Sequence, residues 1–439
     1  MGAISIVIVV LLAAAAIGVG GFYLRRRWLH PVDYAPAFGT SPQIPDARPQ
    51  GGVPTLKMPT AMGWRDGAVP DTAPGLKVTA FASKLEHPRW AYVLPNGDVL
   101  VAESSTLPAP VTGVFNYVMN RVMKRAGATR PSANRITLLR DADGDGVPEI
   151  REAFLENLSQ PFGMALIGNT FYVGNADSVV AFPYEEGQTR ITAPGKKLMD
   201  LKPGGHWTRN IIPGPDGKKL YVAVGSLTNI ADEGLVAEED RACIHELDLE
   251  TNTHRVFASG LRNPVGMAWD PQGGQLWTVV NERDGLGDET PPDYLTSVKD
   301  GGFYGWPYCY WGQTVDDRVT PPNPELVATA LQPDYALGGH TASLGLCWLP
   351  ENTLNGLPAG MVIGQHGSWN RSKLSGYKVV LVPFESGKPT GRPIDILTGF
   401  LAPDEKTSNG RPVGVAIAKD GALLAVDDVG DVVWRVTNA

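Results

Sequence analysis

Cysteine is scarce. Cys243, Cys309 and Cys347 are the only three in 439 residues. An odd number with no Cys-x-x-Cys pair argues against a disulfide framework in a chain this long and favours free buried thiols. A single pair in an oxidising compartment stays open. Charged residues are also few, at 19%, and the net charge is −8. No stretch concentrates Lys and Arg across the chain, which argues against nucleic acid as a partner. Residues 4–23 contain no charged side chain at all. Twenty such residues are long enough to cross a bilayer as a helix. Met1-Gly2-Ala3 lacks the positive n-region of a cleaved signal peptide, while Arg25-Arg26-Arg27 follows. Residues 1–24 therefore read as a transmembrane anchor, single-pass in the cell membrane, with a signal peptide as the alternative. Residues 25–74 lack sustained periodicity and are rich in Pro, Gly and small polar residues from 31 onward, as a linker that then wraps onto a domain would be.

What the rest of the chain does have is repetition. A small turn, an apolar β-run, a second turn and another apolar β-run recur at Pro88–Ala102, Pro161–Val173, Arg209–Val224, Pro264–Val279, Leu344–Ile363 and Pro412–Val426. Three copies share a core: Pro-Phe-Gly163-Met-Ala, Pro-Val-Gly266-Met-Ala and Pro-Val-Gly414-Val-Ala. Self-similarity at a period of tens of residues marks solenoids and propellers. The alternation is strand-like, so an all-β, six-bladed β-propeller over 75–439 is the expectation. The 51 Gly and 37 Pro suit many short strands joined by turns.

One insertion breaks the pattern between Ser105 and Arg135. There Val114–Arg125 carries apolar residues at helical spacing and basic residues on the remaining arc. It reads either as a helix packed on the propeller rim or as a basic amphipathic helix on anionic lipid. Asp141-Ala-Asp143-Gly-Asp145-Gly146, ending at Glu152, matches the twelve-residue calcium-loop pattern, but its flanks read as strands. It is thus either a structural calcium site through Asp141, Asp143, Asp145 and Glu152 or an acidic hairpin turn.

A propeller gathers its site where the blades converge. Gln160, His206, Arg262, His340 and Arg411 each stand just before a repeat core. His206 follows a Gly pair and suits a general base near neutral pH. The arginines make this mouth cationic in an acidic protein, which calls for an anionic ligand held by guanidinium forks.

Gly260-Leu-Arg262-Asn263-Pro264-Val-Gly266, followed by Gly301-Gly-Phe-Tyr-Gly-Trp-Pro307, resembles the soluble pyrroloquinoline-quinone (PQQ) sugar dehydrogenases. Gly-Ser-Trp369-Asn-Arg-Ser, Gly-Arg411-Pro-Val-Gly and the N-terminal anchor look most like the L-sorbosone dehydrogenase branch. The resemblance covers about residues 75–437. It implies PQQ across the top face, with His206 as the base that takes a substrate hydroxyl proton as hydride passes to the quinone. It implies a Ca²⁺ held by cofactor oxygens and by backbone carbonyls in the stretch Glu282-Arg283-Asp284. Arg262 and Asn263 would contact cofactor carboxylate or quinone oxygen. Arg411 matches the first Arg of the family's Arg-x-Arg pair, whose second Arg is Val413 here. Arg371 or His366 would stand in for the family's cofactor Lys, and Gln160 roughly matches a Gln near the quinone. The partners implied are a sugar or sugar-derived aldehyde and an electron acceptor such as a quinone or cytochrome. The family usually works outside the cytoplasm, hence a periplasmic catalytic domain, whereas Arg25–Arg27 would prefer the cytoplasmic side. Two other readings stand beside this one: a calcium-dependent lactone hydrolase, which would need carboxylates and Asn on a central metal, and a non-catalytic binding propeller.

Overall fold

The computed structural model describes residues 37–50, 55–107 and 114–439, apart from the side chains of 114–116, 118 and 119. The anchor at 1–24 and Arg25–Arg27 lie outside the described residues. Among those described, no helix is long and apolar enough to cross a membrane.

Six antiparallel sheets form a closed ring. Blade 1 runs Pro88–Val93, Val99–Glu103, Arg135–Arg140 and Ile150–Leu155 from the inside out. The inner pairs of blades 2 to 6 are Gly163–Ile167 with Thr170–Asn175, Ile211–Pro213 with Lys219–Val224, Pro264–Trp269 with Leu276–Val280, Ser343–Leu349 with Gly360–Gln365, and Pro412–Ile417 with Leu423–Asp427. The six sequence repeats are these inner pairs. Neighbouring inner strands touch all the way round, ending with Pro412–Ile417 against Pro88–Val93. Blade 6 is completed from both ends of the chain, because Leu76–Ala82 pairs with Val432–Asn438.

The shared glycines mark where one blade's inner strand presses on the next. A Cβ on Gly163 would lie 2.4 Å from the Ile211 amide nitrogen, and one on Gly266 would lie 2.6 Å from Leu346 Cβ. Only a residue without a side chain fits that approach. The preceding residues Phe162, Val265, Leu344 and Val413 belong to one buried cluster. Val413, the departure from the family's Arg pair, is therefore core.

The segment before the ring wraps over it. Phe38–Gly39 adds to blade 4, Asp71–Thr72 adds to blade 5, and Thr60–Ala61 pairs with Thr407–Ser408. Trp64 Nε1 donates to the buried Asp427 at 2.7 Å. The inserted helix is present over Val114–Arg125. Met123 lines the central cavity and Arg125 Nε donates to Thr60 Oγ1, so the helix packs on the rim. All three cysteines are unpaired.

Candidate active site

In each blade the first inner strand begins where the second ends. Pro88 pairs with Glu103, Pro264 with Val280, Ser343 with Gln365, and Pro412 with Asp427. Residues just before the first strand and just after the second thus reach the same end of the ring. There they border a cavity of about 600 Å³. His206, Arg262, Asn263, His340, His366 and Arg411 all line it.

His206 Nδ1 lies 2.9 Å from the Ser226 carbonyl. A carbonyl only accepts, so Nδ1 carries the proton and Nε2 keeps its lone pair. Burial first, and the Arg262 charge second, push this imidazole down to about 3. It is neutral at physiological pH. Two glycines make the geometry. Gly205 sits at φ +60 beside Leu227. Gly225 touches both site residues, because a Cβ there would lie 2.3 Å from Asn263 Oδ1 and 2.6 Å from His206 Cβ.

Arg262 is buried and fixed. Its Nε donates to the Asn229 carbonyl, Nη2 to Asn229 Oδ1, and Nη1 to the carbonyls of Asn281 and Glu282. Arg411 donates from Nε and Nη2 to the carbonyls of His366 and Gly367 and lies 5.5 Å over the Tyr377 ring. No carboxylate of the described residues bridges to Arg411. Asn263 Oδ1 and Arg89 Nε are buried without a hydrogen-bond partner. Arg411, without a carboxylate, and Arg89, with Nε unpartnered, have charge or donors to spare for a carboxylate ligand in a cavity of this size. Arg262 is instead spent on its carbonyls and lies 3.8 Å from Asp284.

The expectation of a cationic mouth needs correcting. Arg89, Arg262 and Arg411 share the cavity with Glu282, Asp284, Asp293 and Asp428. Sequence reasoning looked past the second strands only at Glu282–Asp284 and His366, so it missed Asp428, and it missed Asp293, which lies within the strand Pro292–Ser297. Applied to the end of every second strand, the same search picks out Ser226, Glu282, His366 and Asp428. Three of the four cavity acids have evident partners, Asp293 accepting from the amides of Glu282 and Ala342 and from Thr341 Oγ1. Asp428 accepts from Arg89 Nη1 and, at 2.8 Å, from His366 Nε2. Arg89 already balances that carboxylate, so burial and the Arg411 charge leave His366 neutral, pushed down to about 3. Asp284 Oδ1 lies 3.2 Å from His340 Nδ1, and His340 Nε2 lies 2.8 Å from the Gly287 carbonyl. Burial opposes charge on both, but their mutual bond prevails, holding Asp284 below the usual carboxylate range and His340 above its own. Burial pushes Glu282 up to about 7, and its Oε1 has no partner.

Other expected site residues fall elsewhere. Gln160 does not line the cavity; its Nε2 donates to the Ser105 carbonyl. Arg371 does not line it either, because its guanidinium is spent on Glu289 and on the carbonyls of Asp288, Gly339 and Lys373. Arg283 turns to Asp316 and to the Asp284 carbonyl. The carbonyls expected to hold a metal are engaged, Glu282 by Arg262 and Asp284 by Asn229 and Arg283. A hard cation takes oxygen ligands. The side chains of Glu282 and Asp284, rather than those two carbonyls, are the oxygens this stretch offers the cavity.

The acidic loop differs from its pattern as well. Oxygens of Asp141, Asp143, Asp145 and Glu149 lie within 4.8 Å of one another. Glu149 takes the place expected for Glu152. The chain enters the strand Ile150–Leu155 directly, and Glu152 pairs there with Leu138. An exit helix would have brought the twelfth position back to the loop.

The TrAA12-like family profile matches residues 70–328 and 325–439. The chain belongs to the TrAA12-like family. An uncharacterized protein of Borreliella burgdorferi is 28% identical over 303 residues, 64% of this chain and 76% of its own length. A PQQ-dependent pyranose dehydrogenase of Coprinopsis cinerea is 29% identical over 320 residues, 58% of this chain and 43% of that protein. The chain thus spans less than half of that dehydrogenase. Among solved structures, a Trichoderma reesei protein of carbohydrate-active enzyme family AA12 has a TM-score of 0.69 at 19% identity, covering 88% of this chain and 100% of its own. The PQQ domain of the Coprinopsis cinerea pyranose dehydrogenase also scores 0.69, at 21% identity, covering 87% and 100%. Both likenesses concern the fold, a six-bladed TrAA12-like propeller.

Proposed function

We propose that the cavity binds PQQ and that the protein oxidises a sugar or sugar-derived aldehyde, of the L-sorbosone or aldose kind, with His206 as general base. One observation carries this reading: a neutral cavity imidazole, anchored through Nδ1–H, keeps Nε2 free among the guanidiniums of Arg89, Arg262 and Arg411. When bound, PQQ supplies an electrophilic carbonyl carbon that accepts hydride, more strongly with a cation on the adjacent oxygen. His206 Nε2 takes the proton from the substrate hydroxyl. The Ser226 carbonyl holds the ring and favours the imidazolium as it forms. Arg411, without a carboxylate of its own, and Arg89 hold cofactor carboxylates, and Arg262 presents a fixed charge beside Asn263. Glu282 and Asp284 would take Ca²⁺. In the same reading residues 1–24 anchor the domain to the cell membrane, with the propeller on the periplasmic side and a quinone or cytochrome as electron acceptor. The PQQ-dependent dehydrogenases among the relatives support this assignment.

A lactone hydrolase would need several carboxylates converging on one ion. Among the described residues the acids with oxygens that converge are those of the Asp141–Glu149 loop. In the cavity Asp428, Asp284 and Asp293 are tied to Arg, His or backbone partners, whereas Glu282 keeps Oε1 unpartnered. The test is a titration of PQQ and Ca²⁺ into the purified protein, followed by absorbance, then dye reduction with a panel of aldoses and osones. Saturable binding and substrate-dependent reduction are expected. His206→Ala should bind PQQ normally and lose turnover by about 10²–10⁴-fold. Absent PQQ binding would sink the assignment, and retained turnover would remove His206 as base.

A further inference from the structure

Directly behind the His206 loop lie two arginines that the oxidation does not use. Arg209 is fully buried and Arg241 nearly so. Neither forms a salt bridge with any described carboxylate. Glu238 favours the Arg241 charge, but its oxygens accept from Leu227 and Thr228. Guanidinium groups buried without a counter-ion are expensive. The strain shows in Arg209, which burial and the Arg241 charge push down to about 9.

Backbone carbonyls offset that expense, and nearly all of them come from one short loop. Arg209 donates to the carbonyls of Lys202, His206 and Thr208. Arg241 donates to those of Lys202, Pro203, Gly204 and Gly225. The loop bends through two successive left-handed residues, Gly204 at φ 88 and Gly205 at φ 60. Its other side is blocked, since a Cβ on Gly205 would lie 2.5 Å from the Leu227 backbone. Two consecutive glycines would leave such a segment mobile on entropic grounds. Here every turn of it is pinned. Arg209 is itself immobile, because its carbonyl accepts from the Gly163 amide at the contact between blades 2 and 3.

We propose that Arg209 and Arg241 form a counter-ion-free clamp that positions His206, holding the Lys202–Thr208 loop by its carbonyls so that the imidazole meets substrate at a fixed place. They are positioning residues, and the proposal rests on the base role assigned to His206. A carboxylate partner would defeat the device, because it would draw the guanidiniums away from the loop. The clamp also adds positive charge near the imidazole: His206 feels Arg209 and Arg262 against the single acid Asp284.

The test uses the full-length protein. Arg241→Met removes four donated bonds, and Arg241→Lys keeps the charge with fewer bonds. In cofactor-free protein, amide hydrogen exchange in peptides covering 202–208 should quicken about tenfold or more in Arg241→Met while the blade strands keep their protection. In loaded protein, kcat should fall about 100-fold with KM held within about threefold, as a misplaced catalytic group predicts. Arg241→Lys should lie between wild type and Arg241→Met in both readouts, and it carries the test alone if Arg241→Met does not fold. Unchanged exchange across 202–208, or a kcat loss equal to the loss of folded protein, overturns the clamp. Wild type that takes up no PQQ would instead overturn the proposed oxidation, and the exchange measurement would still decide the clamp.

Discussion

Gly225→Ala is a one-carbon change outside the reacting groups that should damage the site. Gly225 follows the strand Lys219–Val224, and its φ lies outside the left-handed region, so alanine meets no backbone penalty there. The harm is steric. The new methyl would lie 2.3 Å from Asn263 Oδ1 and 2.6 Å from His206 Cβ, whereas ordinary contact begins at 3.4 Å. One or both residues must retreat by about 1 Å, a displacement that costs about 100-fold in rate when it moves a catalytic group. Overpacking of this kind costs about 1–3 kcal/mol in stability. The expected result is a kcat about 100-fold lower in PQQ-loaded protein, with Tm down by only a few degrees. Steady-state dye reduction and calorimetry measure the two quantities. Gly214→Ala is the control: it lies in the same blade, and its nearest contacts at 3.3–3.5 Å absorb a methyl. Adding Asn263→Ala to Gly225→Ala should restore part of the lost stability, because it removes the clashing oxygen. A kcat within threefold of wild type in folded Gly225→Ala would refute the claim that this contact sets the position of His206.

Two further predictions concern charge. His366 titrates near 3 in the fold and near 6.5 when unfolded, so the unfolded chain takes the proton first as pH falls. Its contribution to stability is present above pH 6.5 and fades below it, on the order of a few kcal/mol by pH 4.5. Urea midpoints of wild type and His366→Gln at both pH values measure this; equal pH dependence in the two proteins would contradict a neutral buried His366. Arg371→Met should strand the buried Glu289 and destabilise by about 3–5 kcal/mol, yet leave PQQ affinity of the folded fraction unchanged. Glu289→Gln in the same chain should recover most of the loss, and a PQQ affinity more than tenfold weaker would return Arg371 to the cofactor site.

The inner architecture was legible because two chemical constraints coincide there. Blade-to-blade contact demands glycine at 163, 266 and 414, and axial burial demands apolar neighbours, so the copies resemble one another. The outer strands meet no such constraint. Ile150–Leu155 is half exposed, and its pattern reads like many surface strands. Between Ser297 and Tyr335 blade 4 makes a long excursion containing only the short pair Cys309–Tyr310 and Thr314–Val315 and the helix Pro324–Val327, which hid the fourth strand Tyr335–Gly339. Phe38–Gly39 and Asp71–Thr72 are too short for any periodicity. In the site, His206, Arg262 and Arg411 were found by residue type and place. Asp293 was not, because it sits inside the strand Pro292–Ser297, outside the repeat cores. Asp428 was not, because an acid after a strand looks like a turn residue until its Arg and His partners are known. Arg371 was misjudged for the mirror reason: an arginine in a loop looks available until Glu289 is seen beside it.

Blade 6 joins Leu76–Ala82, made before every inner strand of the ring, to Val432–Asn438, the last strand of the ring in sequence order. Synthesis proceeds from the N-terminus, so Leu76–Ala82 waits as an open edge while the other five blades emerge. The wall bearing His206 and Arg262 precedes the wall bearing Arg411 and Asp428 by a large part of the chain. Ring closure and completion of the cavity are therefore one event. A product truncated before Val432 lacks the partner for its first strand and cannot seal the ring that brings its two walls together. The geometry makes occupancy of the cavity a report on whether Val432–Asn438 has been made and paired, a check built from topology alone.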